Sequence, residues 1–194
     1  RRYRIITLDW LLNELYARAK EEVDKRRRDL NEDERKEIAW GIAVAAAKFT
    51  MASYDPLKPL TFNFNKALNI SENSAPYLMY TYARANSILR KARDIDWDNI
   101  DHTKIGNDIK KKLLWLIMKY PWIAGKAADD LSPELLASHL LRIADTFNKW
   151  YEMERIVDEK DPGYRNLKLA LTYGVKQTLE HGLKTFGIKP LSQV

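Results

Sequence analysis

Apolar residues recur along the chain at intervals of three and four, the spacing expected for one face of a helix. The clearest stripe consists of Leu136, Leu140, Ile143, Phe147 and Trp150. The tryptophans Trp40, Trp115, Trp122 and Trp150 are expected in the core or at helix contacts. Alternating segments rich in β-branched residues, which would indicate strands, are absent from the sequence. The pattern predicts an all-α fold, a helical bundle of about six to seven helices.

Capping residues and prolines divide this pattern into elements. Thr7 and Asn31 carry side chains that typically cap helices, so we expect a helix to begin after each of them. Residues 53–60 contain two prolines and predict a connector. We therefore divide the chain into a helical stem, residues 1–68, and a helical bundle, residues 69–194.

Further prolines and glycines predict breaks within the bundle. The pair Tyr120-Pro121 is expected to end one helix, with a short helix after it, because proline lacks the amide N–H that a helix interior needs. The triplet Asp161-Pro162-Gly163 predicts a turn before the last helix. Gly187 is expected to cap the C-terminal end of that last helix.

The helix predicted over residues 74–93 carries an unusual share of aromatic and basic side chains. On a wheel at ~100° per residue, its core stripe consists of Leu78, Tyr82, Ala85, Leu89 and Ala92. A neighbouring arc holds Tyr77, Tyr80, Arg84, Ser87 and Lys91. Tyrosine rings stack unpaired bases and cations bind phosphates, so this arc suits single-stranded nucleic acid. An alternative stays open, in which the tyrosines border the core and the cations are merely solvated.

The remaining chemistry argues against a self-contained enzyme. Lys and Arg number 33 against 27 Asp and Glu, a net charge of +6 that favours an anionic partner. The absence of cysteine excludes disulfides and thiolate chemistry. His102, His139 and His181 lack metal-ligand spacing, and no glycine-rich phosphate loop occurs. We therefore predict no catalytic or metal site, and no membrane segment, since no apolar run approaches ~20 residues.

Two blocks of the sequence resemble a known family. The stretch N-S-A-P-Y-L-M-Y-T-Y-A-R-A-N-S-I, which starts at Asn73, resembles the helix G-P-Y-L-Q-Y-A-H-A-R-x-x-S-I of arginyl-tRNA synthetases. The C-terminal blocks, L-L-W-L-I-M-K-Y-P-W-I, F-N-K-W-Y-E and L-A-L-T-Y-G-V-K-Q-T-L-E-H-G-L-K-T-F-G-I-K-P, are similar to the DALR-type anticodon-binding domain of that family. Residues 1–68 resemble the helices that follow its catalytic fold.

The resemblance implies a bundle of the class Ia synthetase anticodon-binding type. It implies recognition of a tRNA anticodon loop by the C-terminal part of an arginine–tRNA ligase, the enzyme that attaches arginine to its tRNA. The chain begins with Arg1 rather than Met, so we expect a piece of a longer protein whose catalytic domain, absent here, binds ATP and arginine. No cofactor is then expected in this chain. The expected partner is arginine-specific tRNA rather than DNA or a membrane, for a cytoplasmic monomer.

The resemblance also implies roles for individual residues. Tyr77 and Tyr80 match two tyrosines that meet the anticodon loop, and Arg84 matches an arginine one turn later. Asn73 lies in the segment before that helix, which rearranges around the anticodon in the family. Tyr151 matches an aromatic position near the anticodon, although a core role is equally compatible with its place on the wheel. Ser87 and Lys91 complete the predicted tRNA-binding set, since they share the face of Arg84.

This sequence departs from the family pattern at several positions. Met79 replaces a Gln, Tyr82 replaces a His, and Lys168 replaces an Arg in the block that names the domain. The chain ends at Val194, where the family commonly has a Met that touches the anticodon. An alternative function from another class is a helical protein-interaction module with a basic face.

Overall fold

The computed structural model describes residues 7–92, 94–106 and 108–191. Within these ranges the protein contains seven α-helices, one short 3-10 helix at His102–Ile105, and no strand. The α-helices are α1 (Leu8–Arg26), α2 (Glu32–Ala52), α3 (Phe64–Ala67), α4 (Ala75–Ala92), α5 (Asp108–Asp129), α6 (Pro133–Met153) and α7 (Pro162–Thr185). The all-α prediction is confirmed.

Helices α1 and α2 form the stem, and both begin at the predicted caps. The Thr7 hydroxyl accepts a hydrogen bond from the amide of Trp10 at 3.2 Å. The Asn31 side chain accepts from the amide of Glu34 at 2.9 Å, and the Glu34 carboxylate accepts from the amide of Asn31 in return. This reciprocal capping box satisfies two amides that the first helical turn leaves without partners.

The bundle core lies between α4, α5, α6 and α7. The predicted stripe on α6 is buried along its whole length, with Trp150 and Phe147 among the largest fully enclosed side chains. Phe49 of α2 packs into this same core, where its ring meets Phe186 edge-on at 5.9 Å. Helix α2 thus contributes to both the stem and the bundle, and the division at residue 68 stays a prediction.

Helix α5 corrects one predicted break, because it continues through Pro121 to Asp129. Proline removes one backbone hydrogen bond, but packing on both sides of it can hold a helix together. Leu116 and Tyr120 are buried before Pro121, and Ala127 is buried after it. The Tyr120 hydroxyl also lies 2.6 Å from His181 Nδ1 on α7. Tertiary contacts therefore keep one helix where local sequence predicts two.

The C-terminal end of α7 follows the prediction, whereas the predicted turn at Asp161-Pro162-Gly163 is wrong, because Pro162 and Gly163 already belong to the helix. Asp161 belongs to a helix start rather than a free turn, since its carboxylate accepts from the amide of Tyr164 at 2.8 Å. Gly187 has a φ of 66°, a left-handed conformation that favours glycine. The amide of Ile188 reaches back to the Leu183 carbonyl at 2.9 Å. This is a Schellman ending, so the predicted C-terminal cap is confirmed.

The tryptophan prediction holds only in part. Trp150 is fully buried, and Trp40 contacts Tyr16 across the two stem helices at 5.8 Å. Trp115 and Trp122 instead remain 48% and 59% exposed on α5. Their place in the core is taken by smaller α5 residues such as Leu113 and Leu116, which are fully buried. No helix in the described ranges is long and apolar enough to cross a bilayer.

Candidate nucleic-acid interface

The loop before α4 fixes where this helix begins. Asn73 has a φ of 51°, and asparagine is among the few residues that tolerate this left-handed region. The Ser74 hydroxyl accepts from the amide of Tyr77 at 3.1 Å and donates to the Asn69 carbonyl. The chain therefore turns sharply at Asn73 and enters α4 with a capped first turn.

Tyr77 does not lie on the exposed face that the helical wheel assigns to it. Its side chain is only 6% exposed. Its hydroxyl donates to Asp145 Oδ1 at 2.8 Å and accepts from Asn148 Nδ2 at 3.0 Å. Burial raises the pKa of the Tyr77 hydroxyl to about 12. Of the two alternatives that the sequence left open, Tyr77 fits the one in which the ring borders the core, because α6 packs over it and supplies two polar partners.

Tyr80 is the exposed tyrosine of this helix, at 40%. The Arg84 guanidinium lies over its ring, 4.8 Å from the centroid. The same guanidinium lies 4.8 Å from the centroid of Tyr151 on α6. Tyr151 is 39% exposed and stacks on Phe147 with its centroid at 6.4 Å. Arg84 is therefore held between two half-exposed rings, one from each helix.

Hydrogen bonds fix the position of Arg84. Its Nη1 donates to Asn148 Oδ1 at 2.6 Å, and its Nη2 donates to the Tyr80 hydroxyl at 3.1 Å. The Asn148 amide nitrogen in turn donates to the hydroxyls of Tyr77 and Thr81, at 3.0 and 2.9 Å. Buried Tyr77 thus orients Asn148, and Asn148 orients Arg84.

These residues line a depression of about 730 Å³, which we call the aromatic groove. Five predicted residues contribute to it, namely Tyr80, Arg84, Ser87, Lys91 and Tyr151. Arg90 and Arg155 add further positive charge to its lining, against Glu154 and Asp158. Aromatic planes beside several cations match the needs of unstacked bases on a phosphate backbone.

A network of ion pairs supports one wall of the groove. Glu154 Oε1 accepts from Lys110 Nζ at 2.9 Å, and Glu154 Oε2 lies 3.3 Å from Lys168 Nζ. Burial opposes the charged carboxylate, but hydrogen bonds from Lys110, Tyr164 and Lys168 prevail and lower the pKa of Glu154 to about 2. Lys168 also donates to the Arg155 carbonyl at 3.0 Å. The lysine that replaces the family's arginine therefore ties α7 to the segment after α6.

Two other departures from the family pattern, Met79 and Tyr82, lie away from the groove. Met79 is fully buried, and Tyr82 is 8% exposed. Both side chains belong to the bundle core, so their replacement alters packing rather than the exposed surface. Asn73 stays in the loop before α4, outside the groove lining. Val194 lies outside the described residues.

Asn148, Asp145 and Arg155 are the residues that sequence reasoning missed. Asn148 offered one signal, because it is an uncharged polar residue between Phe147 and Trp150, two members of the apolar stripe of α6. Such a buried amide needs partners, and α4 provides them across a separation of 64 residues. Arg155 follows the end of α6 and offers no periodic signal.

His139 and His181 each contact a neighbouring helix of the bundle. His139 is buried, and its Nε2 lies 2.9 Å from the Leu116 carbonyl. Burial lowers the pKa of His139. Across the residues that the structure describes, no group of three or more His, Asp or Glu side chains is arranged to hold a metal ion.

A family comparison defines the class of protein to which this bundle belongs. The sequence pattern of the DALR anticodon binding domain matches residues 78–194, more than half of the chain. The chain belongs to the family of DALR anticodon-binding domains.

Comparison with individual relatives gives more specific information. The chain is 45% identical to an arginine–tRNA ligase of Ignicoccus hospitalis over 97% of its length, and 40% identical to that of Aeropyrum pernix over its full length. It spans 30% of each of these proteins. Among solved structures, a Thermus thermophilus arginyl-tRNA synthetase superposes with a TM-score of 0.88 at 28% identity. That match covers 97% of this chain and 32% of the synthetase.

Proposed function

We propose that this protein binds the anticodon loop of an arginine tRNA, as the C-terminal part of an arginine–tRNA ligase. The observation that carries the proposal is the Arg84 guanidinium, held 4.8 Å from both Tyr80 and Tyr151 in an open cationic groove. Membership in the DALR anticodon-binding family and the likeness to arginine–tRNA ligases support the same partner.

In this proposal the anticodon bases leave their stack and lie against the exposed parts of Tyr80 and Tyr151. Stacking on an aromatic side chain contributes about 1–3 kcal/mol per base. Lys91, Arg90 and Arg155 bind phosphates along the groove and give the interaction its salt dependence. Because bases in a loop are already partly unstacked, a loop is a better ligand than a duplex.

Arg84 is the residue best placed to read a base edge. Its guanidinium presents donors in a fixed fork, and Asn148 and Tyr80 already hold that fork in one orientation. A fixed donor loses little conformational entropy on binding. Tyr77 acts as a positioning residue, since its buried hydroxyl orients Asn148. Asn73 contributes by shaping the loop before α4, since its left-handed conformation turns the chain into this helix.

The chain spans about 30% of the ligases that it matches, so the chemical step belongs to another part of such an enzyme. In the proposed whole protein, a separate catalytic domain binds ATP and arginine. Anticodon binding by this chain then places the far end of the tRNA at that domain. We propose the cytoplasm as its location and a monomer as its working form.

The test measures binding of tRNA transcripts by fluorescence anisotropy. We expect tighter binding of a transcript with an arginine anticodon than of the same transcript with its anticodon bases replaced. Tyr80→Ala should weaken binding of the first transcript while leaving the melting curve of the protein intact. Equal binding of both transcripts would contradict the proposal and favour a protein-interaction module with a basic face.

A further inference from the structure

We propose that an apolar cleft between the stem and the bundle receives one unstacked base of the same RNA strand, an inference that rests on the function proposed above. We call this site the stem cleft. Its floor consists of Ala19, Val23, Ile38, Ile42, Leu68 and Pro76. Its volume is about 300 Å³, at the lower end of the range for small-molecule sites. A single planar ring system fits such a space, whereas a protein helix does not.

The mouth of the stem cleft is positively charged. Arg18 and Arg26 of α1 and Arg27, which follows this helix, line it together with the carboxylate of Glu22. Arg18 pairs with Glu14 at 2.7 Å and Arg27 pairs with Asp29 at 3.0 Å, so Arg26 has the weakest ion pair of the three. The Arg26 side chain is 60% exposed and meets Glu22 only at 3.4 Å. An apolar floor with cations at its entrance suits a ligand that is flat and apolar at one end and anionic at the other. A nucleotide of a single strand has this character.

Tyr80 makes the stem cleft continuous with the aromatic groove. Its side chain lines the groove, the stem cleft, and a third depression of about 450 Å³ that lies between them and also borders Ile70. Arg84 already lies over the Tyr80 ring from the bundle side. A strand that passes Tyr80 therefore finds space for one base in the groove and for a neighbouring base in the stem cleft.

The wall of the stem cleft joins both parts of the molecule. Asn69 and Ile70, from the loop before α4, face α1 and α2 across it. Ile70 is 38% exposed, so this wall is open to a ligand. Recognition of the anticodon loop would then need residues of the protein stem, which lie outside the matched family region of residues 78–194.

The experiment uses the full chain and a set of anticodon stem-loop RNAs with one abasic nucleotide at each loop position in turn. The wild-type protein should show reduced affinity at two or more positions, each by about 5- to 150-fold. Ile38→Trp fills the stem cleft from its partly exposed α2 wall. We expect that, in this variant, an abasic nucleotide at one loop position no longer reduces affinity, whereas abasic nucleotides at the other positions still do. Tyr80→Ala should lose the penalty at a different position or at both.

A matched control and a second variant allow the experiment to be interpreted even if Ile38→Trp does not fold. Ala170→Leu fills an apolar depression between α5 and α7 and should leave the abasic profile unchanged. Arg26→Glu leaves the cleft floor intact, and its charged side chain suits the exposed position of Arg26. This variant should lower the slope of log affinity against log salt by about 1 or more. If Ile38→Trp unfolds in a melting experiment, Arg26→Glu decides the question through this slope.

Two contrary results have different meanings. A folded Ile38→Trp variant with the complete wild-type abasic profile, or an unchanged salt slope in Arg26→Glu, would overturn the stem cleft and leave the aromatic groove standing. A wild-type protein that shows no abasic penalty at any loop position would overturn the proposed function itself, and the stem cleft with it.

Discussion

Two surfaces of this molecule place a cation between two aromatic rings. In the aromatic groove, the Arg84 guanidinium lies 4.8 Å from the centroids of both Tyr80 and Tyr151. On α5, the Lys119 ammonium lies 4.1 Å from the centroid of Trp115 and 5.3 Å from that of Trp122. The rings on α5 are at least as exposed as those in the groove.

The difference between the two surfaces is their three-dimensional setting. Trp115, Lys119 and Trp122 follow one another on the outer face of a single helix. Tyr80 and Arg84 come from α4, and Tyr151 comes from α6, so the groove is a depression between two helices. Arg84 is further fixed by its hydrogen bond to Asn148. Aromatic and cationic composition is thus common to both surfaces, whereas concavity and a fixed donor distinguish the groove that we propose as the RNA site.

Removing the fixed cation should reduce tRNA affinity more than any other single substitution in the groove. Arg84→Ala should lower tRNA affinity by about 3 kcal/mol, roughly 150-fold, because it removes a charged donor and a stacking plane together. Lys119→Ala is the matched control on α5 and should change affinity by no more than about 2-fold. Fluorescence anisotropy with an arginine tRNA transcript measures both values. Comparable losses for the two variants would mean that the groove is not the preferred surface.

Removal of one ring gives a somewhat smaller effect. Tyr80→Ala should cost about 2 kcal/mol of tRNA affinity, roughly 30-fold, because one base loses its stacking partner. Trp115→Ala removes a ring of comparable exposure from α5 and should leave affinity nearly unchanged. Both variants should melt close to the wild-type temperature, since neither ring belongs to the core. A binding loss in Trp115→Ala alone would assign RNA binding to α5.

The groove, unlike the surface of α5 around Lys119, is supported by a partly buried carboxylate, that of Glu154, whose contribution to stability depends on pH. The folded-state pKa of Glu154 is about 2, below its ordinary value of 4.5. A lowered pKa stabilises the fold above the ordinary value, and this stabilisation is lost as pH falls from about 4.5 towards 2. The free energy of unfolding should fall by on the order of 2 kcal/mol across this window.

Denaturant unfolding at several pH values, compared with Glu154→Gln, checks this dependence. The difference in unfolding free energy between the two proteins should shrink as pH falls through the window. A constant difference from pH 5 to pH 2 would show that Lys110 and Lys168 do not stabilise the charged carboxylate.

The smallest effect separates the two tyrosines of α4. Tyr77→Phe should lower the free energy of unfolding by about 1 kcal/mol, because Asp145 and Asn148 lose a hydrogen-bond partner in the interior. Tyr80→Phe should change it by less than about 0.5 kcal/mol, since the Tyr80 hydroxyl is exposed. Urea unfolding measures both, and equal losses would remove the distinction between a positioning residue and a binding residue.

The sequence predicts local features of this molecule better than pairings between distant residues. Thr7, Asn31 and Gly187 mark helix ends because their capping chemistry acts within a few residues. The apolar stripe of α6 is likewise a local periodic signal. Pro121 breaks no helix, because buried residues on both sides of it hold α5 together, and those contacts come from other helices.

The candidate site shows the same contrast between local features, which the sequence predicts, and contacts between distant residues, which it does not. The wheel of α4 correctly groups Tyr80, Arg84, Ser87 and Lys91 on the groove side. It misplaces Tyr77, because its burial depends on Asp145 and Asn148 from α6. A wheel describes one helix and contains no information on the helix that covers it.

We propose that the aromatic groove, rather than the aromatic face of α5, holds the anticodon loop. A photo-crosslinking amino acid at the position of Ser87 in the groove, and separately at the position of Met118 on α5, tests it most directly. Ser87 lines the groove, and Met118 is 70% exposed beside Trp115 and Lys119. With an arginine tRNA transcript, we predict crosslinks to anticodon-loop nucleotides from position 87 and background labelling from position 118. Crosslinks to the anticodon loop from position 118, with none from position 87, would contradict the claim.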